Sequence, residues 1–184
     1  GGMKVNDDTN VQGAWMHGSG GFSKLVKRPS FQEEKVSNYL NSVPLPPNPK
    51  GAVYTTAGRA YPDVSAIAAL EPMIFDGKTM PIGGTSGASP QFAAFAALIN
   101  VHRYQKGLGP IGPVTQTFWK IPSIGTDIVE GQSYATNRVG QCGTEHLPGY
   151  KAAKGWDPVT GVGSPDFQLL LDYFLSLPGE KRIQ

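Results

Sequence analysis

The sequence predicts an α/β fold with a mainly parallel sheet and helices on both faces, and three segments carry this prediction. Residues 64–70 form a small apolar run bounded by Pro62 and Pro72, which suits a strand covered on both faces. Residues 92–101 have a wide apolar surface that indicates a buried helix. Residues 167–175 place apolar side chains at helical spacing. A functional site is expected at the carboxyl ends of the strands, as in other open α/β sheets.

The other elements follow in chain order. Residues 1–29 lack helical periodicity, which predicts loops with short strands. Ser30 and Glu33 have capping-box spacing, so a helix is expected over residues 30–41. Four prolines within residues 44–49 predict an extended connector.

The two later helices have clear boundary signals. The first is expected to follow Pro90 and to end near Gly107. The second is expected to begin with Ser164 as N-cap and Pro165 at the first helical position. Pro178, followed by glycine, should stop it.

Composition sets limits on the class of protein. A chain of 184 residues with 39% hydrophobic and 16% charged residues is expected to form one domain, spanning residues 1–184. The net charge is only +2, and the basic residues are scattered, so nucleic acid is not an expected partner. No apolar stretch is long enough to predict a membrane span.

Processing and cysteine content give further expectations. The start Gly1-Gly2-Met3, without a leader, fits a mature fragment cut from a longer precursor. Cys142 is the single cysteine, so it is either a free thiol, the favoured reading, or linked to another polypeptide.

Ser86 is the strongest candidate for a catalytic residue. It lies between small residues, immediately before the alanine-rich helix. A serine nucleophile needs small neighbours so that a carbonyl can approach, and a helix N-terminus offers N–H groups and positive dipole to an oxyanion. A glycine-serine turn that merely caps the helix explains the same pattern.

Four segments favour the catalytic interpretation through their resemblance to a known family. Residues 84–90, Gly-Thr-Ser-Gly-Ala-Ser-Pro, resemble the serine motif of the subtilisin-like clan. Residues 57–66 resemble the segment that precedes the serine in sedolisins, and residues 20–23 with 28–34 are similar to the tripeptidyl-peptidase I branch of that family. The departure is at residues 87–89, where the family more often has Ala-Ser-Thr.

This resemblance implies a subtilisin-like fold, of which the chain is the C-terminal part, and peptide hydrolysis through an acyl-enzyme on Ser86. It implies that a glutamate base, its orienting aspartate and an oxyanion aspartate lie upstream of Gly1. The processed-looking start and the incomplete triad predict that these residues come from an N-terminal companion chain of the same precursor. Carboxylate catalysis favours acidic pH, hence a lysosomal or extracellular location. Tripeptidyl-peptidase and endopeptidase action both remain open, with peptides or proteins as substrates.

Three other features are alternatives to this assignment. His17 resembles a subtilisin histidine, but it lacks the helix that should follow and is expected to be a loop residue. Glu33-Glu34 and Asp63 are expected to have structural roles. A histidine-based subtilisin-like peptidase and a non-catalytic pseudopeptidase that only binds remain as rival functions.

A calcium-binding region is expected at about residues 125–165. Two aspartates separated by a glycine-rich excursion could converge on a hard cation, although two ordinary turns would give the same pattern. Residues 155–165 resemble the segment after the calcium loop of sedolisins. That resemblance implies five ligands for Ca²⁺: the side chains of Asp127 and Asp157 and the carbonyls of Ile128, Ala153 and Gly155.

Overall fold

The computed structural model describes residues 1–6, 8–47, 55–136 and 146–178, and Cys142 lies outside them. These residues form four α-helices: α1 (Glu33–Ser42), α2 (Thr85–Gln105), α3 (Thr115–Lys120) and α4 (Phe167–Ser176). They also form eleven strands: β1 (Gly2–Val5), β2 (Gln12–Ala14), β3 (Gly21–Lys27), β4 (Gly58–Tyr61), β5 (Ala66–Ile67), β6 (Glu71–Phe75), β7 (Lys78–Ile82), β8 (Gly125–Thr126), β9 (Gln132–Thr136), β10 (His146–Lys151) and β11 (Ser164–Pro165).

The strands pair into five small sheets. In the largest, β1 lies between β2, which is antiparallel to it, and β5, which is parallel. The other pairs, β3 with β4, β6 with β7, β8 with β11 and β9 with β10, are all antiparallel. Helices and strands are both present as predicted, but the described residues contain one parallel pair and do not confirm a mainly parallel sheet.

The buried strand predicted over residues 64–70 is shorter than expected. Only Ala66–Ile67 pairs with a neighbour. Leu70 adopts a positive φ of 57° and is 70% exposed, because the chain turns there into β6. The apolar run therefore ends in a turn instead of continuing as a covered strand.

Helix α2 begins at Thr85, six residues before the expected start at residue 91, and Pro90 lies inside it. Pro90 has no N–H, so it removes one hydrogen bond of the helix, the one to the carbonyl of Ser86. The prediction that the helix is buried is also wrong for one face. Ile99 is buried, but Leu98 and Val101 are 50% and 49% exposed.

Helix α1 confirms the predicted helix but not its cap. A 3-10 turn over Ser30–Gln32 leads into it, and neither N-terminus has a capping hydrogen bond from a side chain. The Glu33 carboxylate instead accepts a hydrogen bond from Arg28 Nη1 at 3.3 Å.

Helix α4 begins two positions later than predicted. Ser164–Pro165 forms β11, paired with β8, so these residues do not cap the helix. Asp166 is the N-cap, and its carboxylate accepts a hydrogen bond from Leu169 N–H at 2.9 Å. Aspartate is among the best N-cap residues because its side chain satisfies a free N–H of the first turn.

Two apolar clusters hold these elements together. One joins α2, α3 and α4 through Ile99, Phe118, Ile121, Ile124, Leu170, Leu171 and Phe174. The other surrounds α1 and β4 and contains Val36, Tyr39, Ala60, Trp119 and Trp156. The first cluster fixes one face of α2, and so fixes the orientation of the helix that carries Ser86.

Candidate active site and calcium-binding region

Ser86 is the second residue of α2 and is exposed. The preceding turn is tied to the sheet, because Gly84 N–H donates to the carbonyl of Ala68 at 2.7 Å, directly after β5. Gly84 has a φ of 147°, which favours glycine. The predicted nucleophile therefore lies beyond the carboxyl end of a parallel strand.

The surroundings of Ser86 leave room for a substrate and present backbone N–H groups at the start of the helix. Gly84 is the N-cap of α2 and has no side chain, so the first N–H groups of the helix are not covered by a cap. No acidic residue lies in the first turn. Within the part of the chain that the structure describes, no carboxylate or imidazole is hydrogen-bonded to the Ser86 hydroxyl.

Two concave spaces flank the first turn of α2. One is a groove of about 700 Å³ that reaches Gly83 and is lined by Trp15, His17, Leu70 and Glu71 among others. The other is a cavity of about 360 Å³ whose lining comes from strand ends and from α2 and α3; it includes Ser65, Thr85, Ala88, Ser89 and Phe118. A peptide bound at Ser86 would have a space on each side of the helix start.

The competing candidates have clear structural contacts. Both Asp63 oxygens accept hydrogen bonds from Arg59 Nη2, at 2.8 and 2.9 Å, and one also accepts from Trp119 Nε1 at 2.6 Å. His17 lies in an exposed turn after β2, with its ring edge-on to Trp15 at 5.2 Å between centroids. These positions agree with a structural Asp63 and a loop His17.

Asp157 is fully buried, and among the described residues the hydrogen bonds to its carboxylate all come from the same loop. Oδ1 accepts from the backbone N–H groups of Val159 and Thr160, both at 2.8 Å. Oδ2 accepts from the Thr160 hydroxyl at 2.7 Å and from Ala153 N–H at 3.3 Å. Burial raises the pKa of Asp157 to about 6, although these hydrogen bonds act in the opposite direction.

Asp127 meets the same loop from the other side. Its carboxylate is exposed and accepts a hydrogen bond from Gly155 N–H at 2.8 Å, while Ile128 beside it is fully buried. The structure therefore brings both predicted carboxylates to residues 153–157. In the described ranges, no group of three or more His, Cys, Asp or Glu side chains is placed to hold a metal ion. A cation here would depend on carbonyl oxygens as well as on the two carboxylates.

Comparisons with known proteins place this arrangement in a family, although no family model matches the sequence. Tripeptidyl-peptidase sed1 of Aspergillus fumigatus is 38% identical over 173 residues, which cover 86% of this chain and 25% of that protein. Tripeptidyl-peptidase 1 of Bos taurus is 38% identical over 157 residues, which cover 83% and 26%. The solved structure of Pseudomonas sedolisin, a serine-carboxyl proteinase, matches with a TM-score of 0.63 and 25% identity, over 96% of this chain and 45% of that one.

The chain belongs to the sedolisin family. The structural match also supports the subtilisin-like fold that the sequence motifs implied. The chain spans about a quarter of the length of the relatives named above, and less than half of the Pseudomonas sedolisin chain.

Sequence reasoning missed one acidic residue beside the sedolisin-like serine motif. Glu71 opens β6, and its carboxylate lies against Gly87, the residue after Ser86. The β6–β7 hairpin that carries it could have been found, because Asp76-Gly77 is a favoured two-residue hairpin turn. The contact with Gly87 could not, since nothing local in the sequence links the two positions.

Proposed function

We propose that this chain supplies the nucleophile of a serine-type peptidase of the sedolisin kind, and that Ser86 is that nucleophile. The main support is the position of Ser86: exposed, at the start of α2, beyond the end of β5 and between two concave spaces. Its relatives carry the names tripeptidyl-peptidase and sedolisin.

The proposed reaction is nucleophilic acyl transfer. The Ser86 hydroxyl attacks the scissile carbonyl, and a carboxylate outside the described residues accepts its proton. Backbone N–H groups at the start of α2 stabilise the negative oxygen. The C–N bond then breaks, the amine leaves with a proton, and water hydrolyses the ester on Ser86. A carboxylate base that is ionised beside a carboxylic acid that must stay neutral favours acidic pH, as in a lysosome or an acidic extracellular medium.

The base, its orienting aspartate and the oxyanion aspartate are proposed to come from an N-terminal companion chain of the same precursor. This agrees with the unpartnered Ser86 hydroxyl in the described residues and with the short span of the chain relative to sedolisins. It also agrees with the exposed apolar face of α2, where Leu98, Val101 and Tyr104 are 50%, 49% and 41% exposed. A companion chain that packs on that face would bury these apolar side chains of α2.

A calcium ion is proposed to bind where residues 153–157 meet Asp127. A buried carboxylate such as Asp157 is costly without a cation, and no described lysine or arginine forms an ion pair with it. The ligands are expected to be the carboxylates of Asp127 and Asp157 and the carbonyls of Ile128, Ala153 and Gly155, a donor set that suits calcium. Calcium would tie this loop to the core and takes no part in the chemistry.

The deciding experiment is Ser86→Ala in the assembled protein, assayed for peptide cleavage across acidic pH. We expect kcat to fall at least about 1,000-fold, because the acyl-enzyme cannot form. Ser42→Ala, at the exposed C-terminal end of α1, is the matched control and should stay active. Undiminished cleavage by Ser86→Ala would contradict the assignment, and loss of cleavage in His17→Ala with the fold intact would favour the histidine-based alternative. A wild-type protein that binds peptides without cleaving them would be the pseudopeptidase.

A further inference from the structure

Glu71 and Gly87 form a close contact directly beside the proposed nucleophile. A Cβ placed on Gly87 would overlap Glu71 Oε2, so the carboxylate occupies the space that an alanine side chain would need. The side-chain amide of Gln91 donates to Glu71 Oε1 and to the carbonyls of Ile67, at 2.9 Å, and Gly87, at 3.2 Å. The carboxylate is thus fixed between β5 and the first turns of α2.

The Glu71 carboxylate has no cationic partner among the described residues. The ion pairs found there are Arg28 with Glu33 and Arg59 with Asp63. Glu71 is half-buried, so a charge on it is less screened by water than one on an open surface. Glu71 therefore places a carboxylate without a cationic partner against the residue that follows Ser86.

Glu71 also lines the groove of about 700 Å³, whose other walls are mostly apolar. These apolar walls include Trp15, Ile67, Leu70, Pro72, Pro81 and Ile82. Lys4 and His17 line the groove as well; Lys4 is exposed and within ion-pair distance of no described carboxylate. A site with mostly apolar walls and one carboxylate matches a side chain with an apolar stem and a positive end.

We propose that Glu71 is a specificity-determining residue that selects a lysine or arginine side chain of the peptide substrate, next to the bond that is cleaved. The methylene groups lie along the apolar walls of the groove, and the ammonium or guanidinium pairs with the Glu71 carboxylate. Gly87 permits this arrangement because it leaves space for the carboxylate. The inference rests on the proposed peptidase function.

The kinetic test uses pairs of peptides that differ only at one position near the cleaved bond, where one peptide has lysine and the other norleucine. A separate pair is made for each position that flanks the bond. At one position, the assembled wild-type protein should have a kcat/KM about fivefold higher for lysine, the size of a partly screened ion pair. In Glu71→Gln the lysine-to-norleucine ratio should fall to about one. Gly87→Ala should lower the ratio too, because the new methyl group displaces the carboxylate.

Glu34→Gln is the matched control, since Glu34 is an exposed glutamate on α1, a helix that contributes no residue to the groove. The lysine-to-norleucine ratio of this variant should equal that of the wild type. If the wild-type protein showed no preference for lysine at any of the positions tested, the proposal would be overturned. It would also be overturned if Glu71→Gln kept the wild-type preference for lysine.

A binding measurement separates this proposal from the proposed function. In the Ser86→Ala protein the same peptides can be titrated without being consumed. The lysine peptide should bind about fivefold more tightly than the norleucine peptide, and Glu71→Gln in that background should equalise the two Kd values. If the Ser86→Ala protein bound the lysine and norleucine peptides with equal Kd values, the role of Glu71 would be overturned, whatever the catalytic result. Failure of the wild type to cleave any peptide would count against the peptidase function alone.

Discussion

The surroundings of Ser86 and of Asp157 differ in how many of their partners this chain supplies. Asp157 is fully buried, and the four hydrogen bonds that its carboxylate accepts from described residues come from residues 153–160. Ser86 is exposed, and its hydroxyl has no hydrogen-bond partner among the described residues. The surroundings of Asp157 are therefore formed by nearby residues of the same loop. The fold positions Ser86, but the described residues do not supply hydrogen-bond partners for its hydroxyl.

This difference indicates which changes affect stability and which affect activity. A buried group whose partners are close in sequence forms with the fold, so its removal costs folding free energy. A functional group with no partner in the fold costs nothing to remove, but its chemistry depends on what docks beside it. Three predictions follow this distinction, from the largest effect to the smallest.

Asp157→Ala should lower the free energy of unfolding of the assembled protein by about 3 kcal/mol or more. It leaves the N–H groups of Val159 and Thr160 and the Thr160 hydroxyl without their acceptor in a buried loop. Ser86→Ala should change the same quantity by less than about 0.5 kcal/mol. Urea unfolding of both variants measures these two changes in the free energy of unfolding. Equal losses in the two variants would contradict the distinction between Asp157 and Ser86.

Chelation of calcium should lower the Tm of the assembled protein by about 5–10 °C, the size expected when a ligand bound well above its Kd is withdrawn. Asp127→Asn should reduce the response, since Asp127 is one of the two carboxylates at the loop. Differential scanning calorimetry with and without chelator makes the comparison. A Tm that chelator leaves unchanged in the wild type would contradict the calcium proposal.

Sequence patterns predicted the features whose causes are local. The periodic apolar residues predicted α1 and α4, and the motif around Ser86 led to the correct family. The errors arose where tertiary contacts compete with local signals. Ser164 and Pro165 have the pattern of a helix start, but β8 pairs with them, and Asp166 takes the cap instead.

The region around Ser86 illustrates the same limit. Gly87 is the first of the three residues that depart from the family's serine motif, and the structure places it within α2, against the Glu71 carboxylate. Glu71 lies 15 positions before Ser86, on a hairpin whose position follows from the whole fold. No periodicity or spacing in the sequence could have paired these residues.

Replacing Leu98 or Val101 with serine should weaken association with the companion chain, by about tenfold, and should leave the stability of the fold nearly unchanged. Both side chains are about half exposed on α2, so they can contribute apolar area to a partner without supporting the core. Leu25→Ser is the matched control, since Leu25 is 94% exposed on β3. Co-purification and sedimentation measure the association. An unchanged association would show that the companion does not cover this face.

The central claim is that the Ser86 hydroxyl becomes acylated during turnover, with its proton taken by groups from outside the described residues. The most direct measurement is acid quenching of the assembled protein during turnover of an activated ester, followed by mass spectrometry to locate the acyl group. We predict an adduct on Ser86 at acidic pH that is absent from Ser86→Ala. An adduct on any other residue, or turnover that persists unchanged in Ser86→Ala, would contradict the claim.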